Sequence, residues 1–388
     1  MVTMQTADNA LKSFYLGAVS DQLNKSVNPL LAQIKQTTAD IWGKDVRRVV
    51  RYGVNGGIGA GTEDGNLPTA GGNHYAQFVT TLKNLFGTIE ISDKAIRSST
   101  SNEGAFVNLL NDEMEGLIQS SSFNVGRMLF GDGKGTLATV ASIASGVFTV
   151  DTVKNIAEGM IVDFVDADGN VLVGGRTVTK VDRKGKKVSV NGTTLTSTNV
   201  PNNSRIVIQN SNGLEITGLG AIFSDSATLY GVNRADHDWM NPYKQTSVGT
   251  ISETKIQTAI DYLEEVSGSK VNFIVCSWGV KRALAEQLST YKRMVDTVDL
   301  EGGYKAMSFN GIPVVADRFC PDGTMYLLNT NDFCLHQLCD WQWLEGEDGK
   351  VLKQIAGKPV YTATLVKYAE LVCTRPCGQA MLSGITEA

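Results

Sequence analysis

Six glycines fall within the fifteen residues RYGVNGGIGAGTEDG, Arg51–Gly65 (Gly53, Gly56, Gly57, Gly59, Gly61 and Gly65). At that density a backbone can wrap a phosphate, and Gly57, Gly59 and Gly61 alternate after the apolar run DVRRVVRYGV, as in a dinucleotide-binding loop. Such a loop needs a helix directly behind it, whose N-terminal amides hold the anion. The next residues are TEDGNLPTAGG, with Pro68, Gly71 and Gly72 where that helix would start. The stretch reads instead as a flexible hairpin tip.

The other stretches with chemical potential fail similar tests. GDGKGT (Gly131–Thr136) lacks the joined Gly-Lys-Ser/Thr of a nucleotide P-loop and comes after a helix rather than a strand. DADGN (Asp166–Asn170) begins like a calcium loop but has neither the closing Glu nor flanking helices, so it reads as a turn. Ser277 stands between a strand and a helix, as a hydrolase nucleophile does, but Val275 occupies a position where that elbow needs glycine. Asp236-His237-Asp238 is a polar loop triplet that reads as solvated or interfacial. Cys334/Cys339 and Cys373/Cys377 are spaced five and four apart, and no histidine lies near the second pair, so neither reads as a zinc site. No catalytic, cofactor-binding or metal-binding residue is expected.

The elements around these stretches carry more information. The chain has 388 residues, net charge −5, 42% hydrophobic and only 19% charged residues, and 40 glycines. It is not globally basic, so nucleic acid could be met only through local patches. No apolar run approaches the ~20 residues that span a bilayer, and the N-terminus lacks a secretory pattern. Few charges with many glycines suit a protein that covers its surface with neighbours.

Residues 1–45 read as an arm with two short helices, in ADNALKSFYLGAVSDQLN and NPLLAQIKQTT. Residues 46–82 read as a long two-stranded hairpin, DVRRVVRYGV out and HYAQFVTTL back, with the glycines at its tip. A helix over about 101–129, capped by Ser99 or Ser101, would be roughly 43 Å long, a strut, with a bend near Ser120–Ser122. Residues 137–212 alternate as short strands with turns at Asp168-Gly169-Asn170, Gly174-Gly175 and Lys184-Gly185-Lys186, an inserted all-β unit. Residues 213–250 are loop-rich. Over 251–325 come an amphipathic helix capped by Ser252, with Ile256, Ala259, Ile260, Leu263 and Val266 as its stripe, a buried strand (KVNFIVCS), a second helix, and strands with Asp322-Gly323 as a hairpin turn. Residues 326–388 are strand-rich and would close a mixed sheet. The class is α+β.

This succession resembles the major capsid proteins of tailed bacteriophages, whose shell fold is shared with herpesvirus capsids and encapsulins. The resemblance rests on NLFGTIEISDKAIRSST entering the long helix, FNVGRMLFGDGKGTLATV leaving it, and VNFIVCSWGVKRALAEQL with YKAMSFNGIPVVADRFCPDGTMYLLNTNDF, about two thirds of the chain. It implies an N-terminal arm (1–45), an extended loop (46–82), a peripheral domain with the spine helix (83–136) and its return segment (213–250), an inserted β domain (137–212), an axial domain (251–325) and closing strands (326–388). It implies a structural protein, not an enzyme, that assembles with copies of itself into hexamers and pentamers of an icosahedral or prolate virion shell in the host cytoplasm. The implied partners are a scaffold protein, a portal, decoration proteins and packaged double-stranded DNA held without sequence readout, and no membrane. Gly53, Gly56, Gly57, Gly59, Gly61, Gly71 and Gly72 would give the loop its hinges and tip. Arg47, Arg48, Arg51, Arg282, Lys292 and Arg293 would face DNA or acids across subunits. The tip holds no lysine, so no covalent Lys–Asn crosslink is expected there. An encapsulin-type cage around a cargo enzyme is the nearest alternative; an α/β enzyme or a binding module would leave the arm and hairpin unexplained.

Overall fold

The computed structural model describes residues 28–94, 103–291, 297–299, 305–346, 349 and 351–388. The first arm helix and the caps at Ser99 and Ser101 lie outside the described residues. Pro29 opens a five-residue helix α1 (Pro29–Gln33) that buries Leu30 and Leu31. The helical reading of this arm segment ends there: Lys35–Thr37 is a strand, β1. Strands β2 (Ile41–Trp42), β3 (Asp45–Tyr52) and β4 (His74–Thr81) form a three-stranded sheet, and β5 (Lys83–Ser92) leads to the long helix.

That helix, α2 (Glu103–Phe130), has 28 residues, about 42 Å at 1.5 Å per residue. The helix assignment is unbroken through Ser121 and Ser122, which are buried. Met114, Ile118, Val125 and Leu129 recur on one helical face and are all buried. Gly133 and Gly135, both at positive φ, then turn the chain directly into a barrel, so GDGKGT is a helix-to-strand turn.

The barrel is closed, in the order β10-β7-β6-β11-β8-β9. Its strands are β6 (Thr136–Ala144), β7 (Val147–Val150), β8 (Ile161–Val165), β9 (Val171–Asp182), β10 (Lys187–Val190) and β11 (Arg205–Ile208). It has its own core, centred on Phe148 and Phe164 stacked at 4.6 Å. Asp166-Asn170 is a side-chain-closed turn: the Asp166 carboxylate accepts from the Asn170 backbone N–H at 2.8 Å and from its amide at 3.0 Å. The hydrogen bonds from Asn170 hold the Asp166 carboxyl below its ordinary pKa. Gly174-Gly175 is not a turn. It lies inside β9, where the register with β8 shifts and Gly175 takes φ +67° against Asp163.

Past the barrel come α3 (Leu219–Ile222), a small pair β12 (Thr228–Leu229) and β13 (Val232–Asn233), and β14 (Tyr243–Gln245). Helix α4 (Glu253–Ser267) starts where the Ser252 hydroxyl accepts from Lys255 N and ends at Gly268 in the left-handed region. Ile256, Ala259, Ile260 and Leu263 face the core, but Val266, expected on the same stripe, is 57% exposed. After β15 (Phe273–Cys276) and α5 (Trp278–Tyr291) come β16 (Thr297–Asp299), β17 (Lys305–Phe309), β18 (Ile312–Ala316) and β19 (Met325–Leu328). The hairpin turn here is Asn310-Gly311, both at positive φ, between β17 and β18. Asp322-Gly323 is not the hairpin turn expected there, because the strands it joins lie on opposite sides of β15.

The chain closes with β20 (Phe333–Trp343), β21 (Lys353–Gln354), β22 (Val360–Cys373) and β23 (Ala380–Leu382). One sheet runs β1-β20-β22-β21, with β5 also paired to β22 over ten residues, and the other runs β14-β23-β19-β15-β18-β17-β16. Strand β15 shows why its sequence is continuously apolar. Phe273 and Val275 face the core shared with α2 and the hairpin, while Ile274 and Cys276 face the core under α4 and α5. Among the described residues no helix is long and apolar enough to cross a membrane.

Candidate functional site

The feature that stands apart is the β3–β4 hairpin. Eight residue pairs, from Asp45↔Thr81 to Tyr52↔His74, are in register. Alternation sends Val46, Val50, Tyr52 and Phe78 to one face and Arg47, Val49, Arg51, Tyr75 and Val79 to the other. The inner face is anchored by aromatic packing. Trp239 stacks on Tyr52 at 5.2 Å and on Phe78 at 5.9 Å, and His237 meets Tyr52 edge-on at 5.3 Å. Val79 N donates to Tyr230 O at 3.0 Å, while the Tyr230 hydroxyl donates to Leu371 O and accepts from Cys373 N, each at 3.2 Å. The hairpin base is thereby fixed to the central strand β22. Asp236-His237-Asp238 serves this packing. His237 sits in the aromatic group, and the two carboxylates accept from the Asn233 and Asn241 amides.

The outer face is different. Trp42, Val49 and Tyr75 are 72%, 63% and 61% exposed on one side of this sheet. Single exposed apolar residues are ordinary, but a row of them on a projecting sheet is surface that association would cover. Beyond it, residues 53–73 hold no helix or strand, and Ile58 and Leu67 are more than 80% exposed. The glycines do not form a phosphate loop, since no helix comes after Gly61. They let the two limbs approach closely instead. A Cβ on Gly71 would lie 2.5 Å from Gly57 N and 2.7 Å from Gly56 N, and Asn55 Oδ1 accepts from Gly57 N at 3.0 Å. Gly53, at φ +65°, turns the chain out of β3. Gly59, Gly61 and Gly72 lie along the exposed limbs.

The basic residues do not make one patch. Arg47 and Arg51 share the outer face, with Arg47 3.6 Å from Asp45, whereas Arg48 points to the inner side, 3.7 Å from Asp40. Arg282 Nε donates to Ala388 O at 2.7 Å, tying the last residues to α5. Lys292 and Arg293 lie outside the described residues. Ser277 is a helix cap rather than a nucleophile. Its oxygen accepts from Val280 N, and its hydroxyl donates to the Glu387 carboxylate, which also accepts from Gly323 N at 2.7 Å. Cys276, Cys320, Cys334 and Cys373 are buried free thiols, and burial raises Cys276 to about 12. Among the described residues no group of three His, Cys, Asp or Glu side chains could hold a metal.

Long-range polar pairs fix the barrel to the rest. Arg127, at the end of α2, pairs with Glu215, just past the barrel, and both are buried. Lys154 Nζ donates to the Asp322 carboxylate at 2.8 Å and to Cys320 O at 2.7 Å. These pairs were invisible in the sequence, since their members lie 88 to 168 residues apart. A cleft of about 540 Å³ lies between β5, α2 and the post-barrel segment, lined by Lys83, Phe86, Asn124, Met128, Glu215 and Trp341 among others.

Glu370 is the most perturbed carboxyl of the central sheet. It is fully buried and accepts from Thr217 N at 2.8 Å and Leu371 N at 3.0 Å. Burial outweighs these bonds and raises it from 4.5 to about 7. The fold therefore favours its protonated form. That contribution is complete below about pH 4.5 and is lost as pH rises through 7. Glu370→Gln is expected to gain up to about 3 kcal/mol over the wild type at pH 8 and nothing at pH 4. Denaturant unfolding across this pH range checks it; a pH-independent difference would contradict the assignment.

No protein-family model matches the chain. No curated protein matches it by sequence. Among solved structures, the capsid of cyanophage A-1(L) superposes with a TM-score of 0.56, over 93% of this chain and 94% of that one, at 11% identity. The fold is that of a tailed-phage capsid protein. A SrpI encapsulin from Synechococcus elongatus scores 0.47 at 10% identity, covering 93% and 89% of the two chains. The capsid of Myoviridae phage XM1 scores 0.46 at 9% identity, covering 92% and 91%. In this chain the closed barrel lies between α2 and α3.

Proposed function

We propose that this chain is a shell-forming structural protein, many copies of which associate as hexamers and pentamers to enclose double-stranded DNA in a virion assembled in the host cytoplasm. The observation that carries the reading is the β2–β3–β4 sheet. It projects a 21-residue tip and an exposed apolar face from a firmly anchored base, on a chain with the capsid fold. A ribbon of this kind gains its stability by packing on other surfaces. In this reading residues 46–82 are the extended loop that lies on a neighbour and α2 is the spine of a peripheral domain with 83–136 and 213–250. The seven-stranded sheet with α4 and α5 is then the axial domain, residues 326–388 close both, and the barrel is an insertion that braces or decorates the shell. A scaffold protein, a portal and decoration proteins complete the assembly. DNA is held through local cations, such as Arg47 and Arg51, with no sequence readout. No catalytic step belongs to this role.

The test is to replace residues 55–72 by a two-residue Asn-Gly turn. The shortened chain is expected to keep its melting temperature as a monomer, since the anchored base is untouched, and to form no shells by light scattering. Unimpaired shell formation would remove the extended loop from the assembly. Nuclease-protected DNA in wild-type particles, rather than a protein cargo, separates this reading from a cellular cage.

A further inference from the structure

The loop tip carries two charges, both acidic. In residues 53–73 the only ionisable side chains are Glu63 and Asp64. They are the central residues of a turn closed by Gly65 N donating to Thr62 O at 3.1 Å, and both are exposed. The turn lies ten residues beyond Tyr52, a reach of about 33 Å of extended chain. The contact of Gly71 with Gly56 and Gly57 pins the two limbs together behind it.

The opposite charge is concentrated on the barrel. The β9–β10 hairpin TKVDRKGKKVSV holds Lys180, Arg183, Lys184, Lys186 and Lys187, all exposed, in a chain whose net charge is −5. The nearby acids are committed to backbone amides. Asp182 accepts from Lys184 N and Gly185 N, Glu158 from Val181 N, and Asp151 from Thr139 N and Thr152 N. Lys186 Nζ donates to the Asp151 carbonyl at 3.0 Å. Among the described residues none of the five cations, and neither Glu63 nor Asp64, has an ion-pair partner within the chain.

We propose that the Glu63–Asp64 turn of one copy docks on the Lys180–Lys187 hairpin of an adjacent copy, an electrostatic latch between extended loop and barrel. The proposal rests on the self-association reading above. It gives the inserted barrel a specific role, as the receptor for a neighbour's loop. An acidic turn is complementary to a cationic surface, and this hairpin is the densest cluster of cations in the chain. Rim charges of this kind set register and partner choice, and they weaken as salt rises.

The experiment is a charge swap in the full-length chain, expressed with its scaffold protein where assembly needs one. Three variants are compared with wild type: Glu63→Lys/Asp64→Lys, Arg183→Glu/Lys184→Glu, and all four together. Shell yield is measured by sedimentation at low and high salt. Each reversal alone is expected to cut the yield at low salt by roughly tenfold or more, and the combination to restore most of it. All four positions are exposed, so melting temperatures should match wild type. If a reversal fails to fold, Glu63→Gln/Asp64→Asn reads the same contact. Wild-type yield from both single reversals, or no rescue in the combination, overturns the latch. So does barrel reversal that loses DNA retention while leaving assembly intact, which would assign the cations to nucleic acid. If wild-type chain forms no shells at all, it is the self-association reading that fails, and the latch with it.

Discussion

Arg127→Leu is expected to destabilise the protein by about 3–5 kcal/mol, because it leaves a carboxylate buried without its partner. Arg127 and Glu215 are only 3% and 2% exposed. The guanidinium also donates to Asn124 Oδ1 at 2.6 Å, so one side chain satisfies two acceptors at the end of α2. Its place in the chain makes the pair consequential. Arg127 lies just before the barrel and Glu215 just after it, so the pair closes the two ends of the barrel segment. Breaking it should loosen the junction on which the barrel is mounted. Urea unfolding of Arg127→Leu, Glu215→Leu and the double variant tests this. The double variant should recover most of the loss, since removing both charges avoids the desolvation penalty. A double variant as unstable as the sum of the singles would show that the two act separately.

Gly218→Ala should also be strongly damaging. A Cβ at this position would lie 2.2 Å from Met128 O and 2.6 Å from Leu129 O, both backbone atoms at the end of α2. Neither can rotate away, so the helix end or the segment entering α3 must move. Overpacking of this kind costs about 1–3 kcal/mol where side chains can adjust, and backbone contacts place this site at or above that range. Poor soluble yield or a strongly lowered melting temperature is expected. Gly116→Ala on the exposed side of the same helix is the control. A Cβ there meets nothing within 4 Å, and alanine should raise stability by about 0.5–1 kcal/mol. Equal effects at the two sites would contradict the close packing.

Much of this architecture was legible because its signals are local. The 3.6-residue recurrence foretold α2 and α4, the Ser252 cap is where the sequence puts it, and alternation with turn residues marked the barrel strands. The errors also have physical causes. Gly174-Gly175 has turn composition but is a bulge, because β9 must bend around a closed barrel. The hairpin turn falls at Asn310-Gly311 rather than Asp322-Gly323, and between strands only one of these dipeptides can join neighbours in the sheet. Val266 sits at the edge of the α4 stripe, near the helix end, and stays largely exposed. Lys35–Thr37 becomes a strand only because β20 offers it an edge nearly three hundred residues away. The anchoring of the loop could not be read at all. Tyr52, Phe78, Tyr230, His237 and Trp239 come from three separate stretches and converge only in the folded chain.

The basic residues divide in the same way. Arg47 and Arg51 keep an exposed position compatible with an outside partner, while Arg48 turns inward and Arg282 is engaged by the chain's own last residue. Strand parity decides the first distinction and could have been read from β3 alone. The second depends on where the C-terminal residues return.

The central claim is that this chain builds closed shells. Electron cryomicroscopy of the purified protein, expressed alone and with its scaffold protein, tests it most directly. The account predicts closed particles with fivefold and sixfold clusters of this chain, each extended loop lying on a neighbouring copy. A protein that remains monomeric under both conditions, with its loop free in solution, would contradict it.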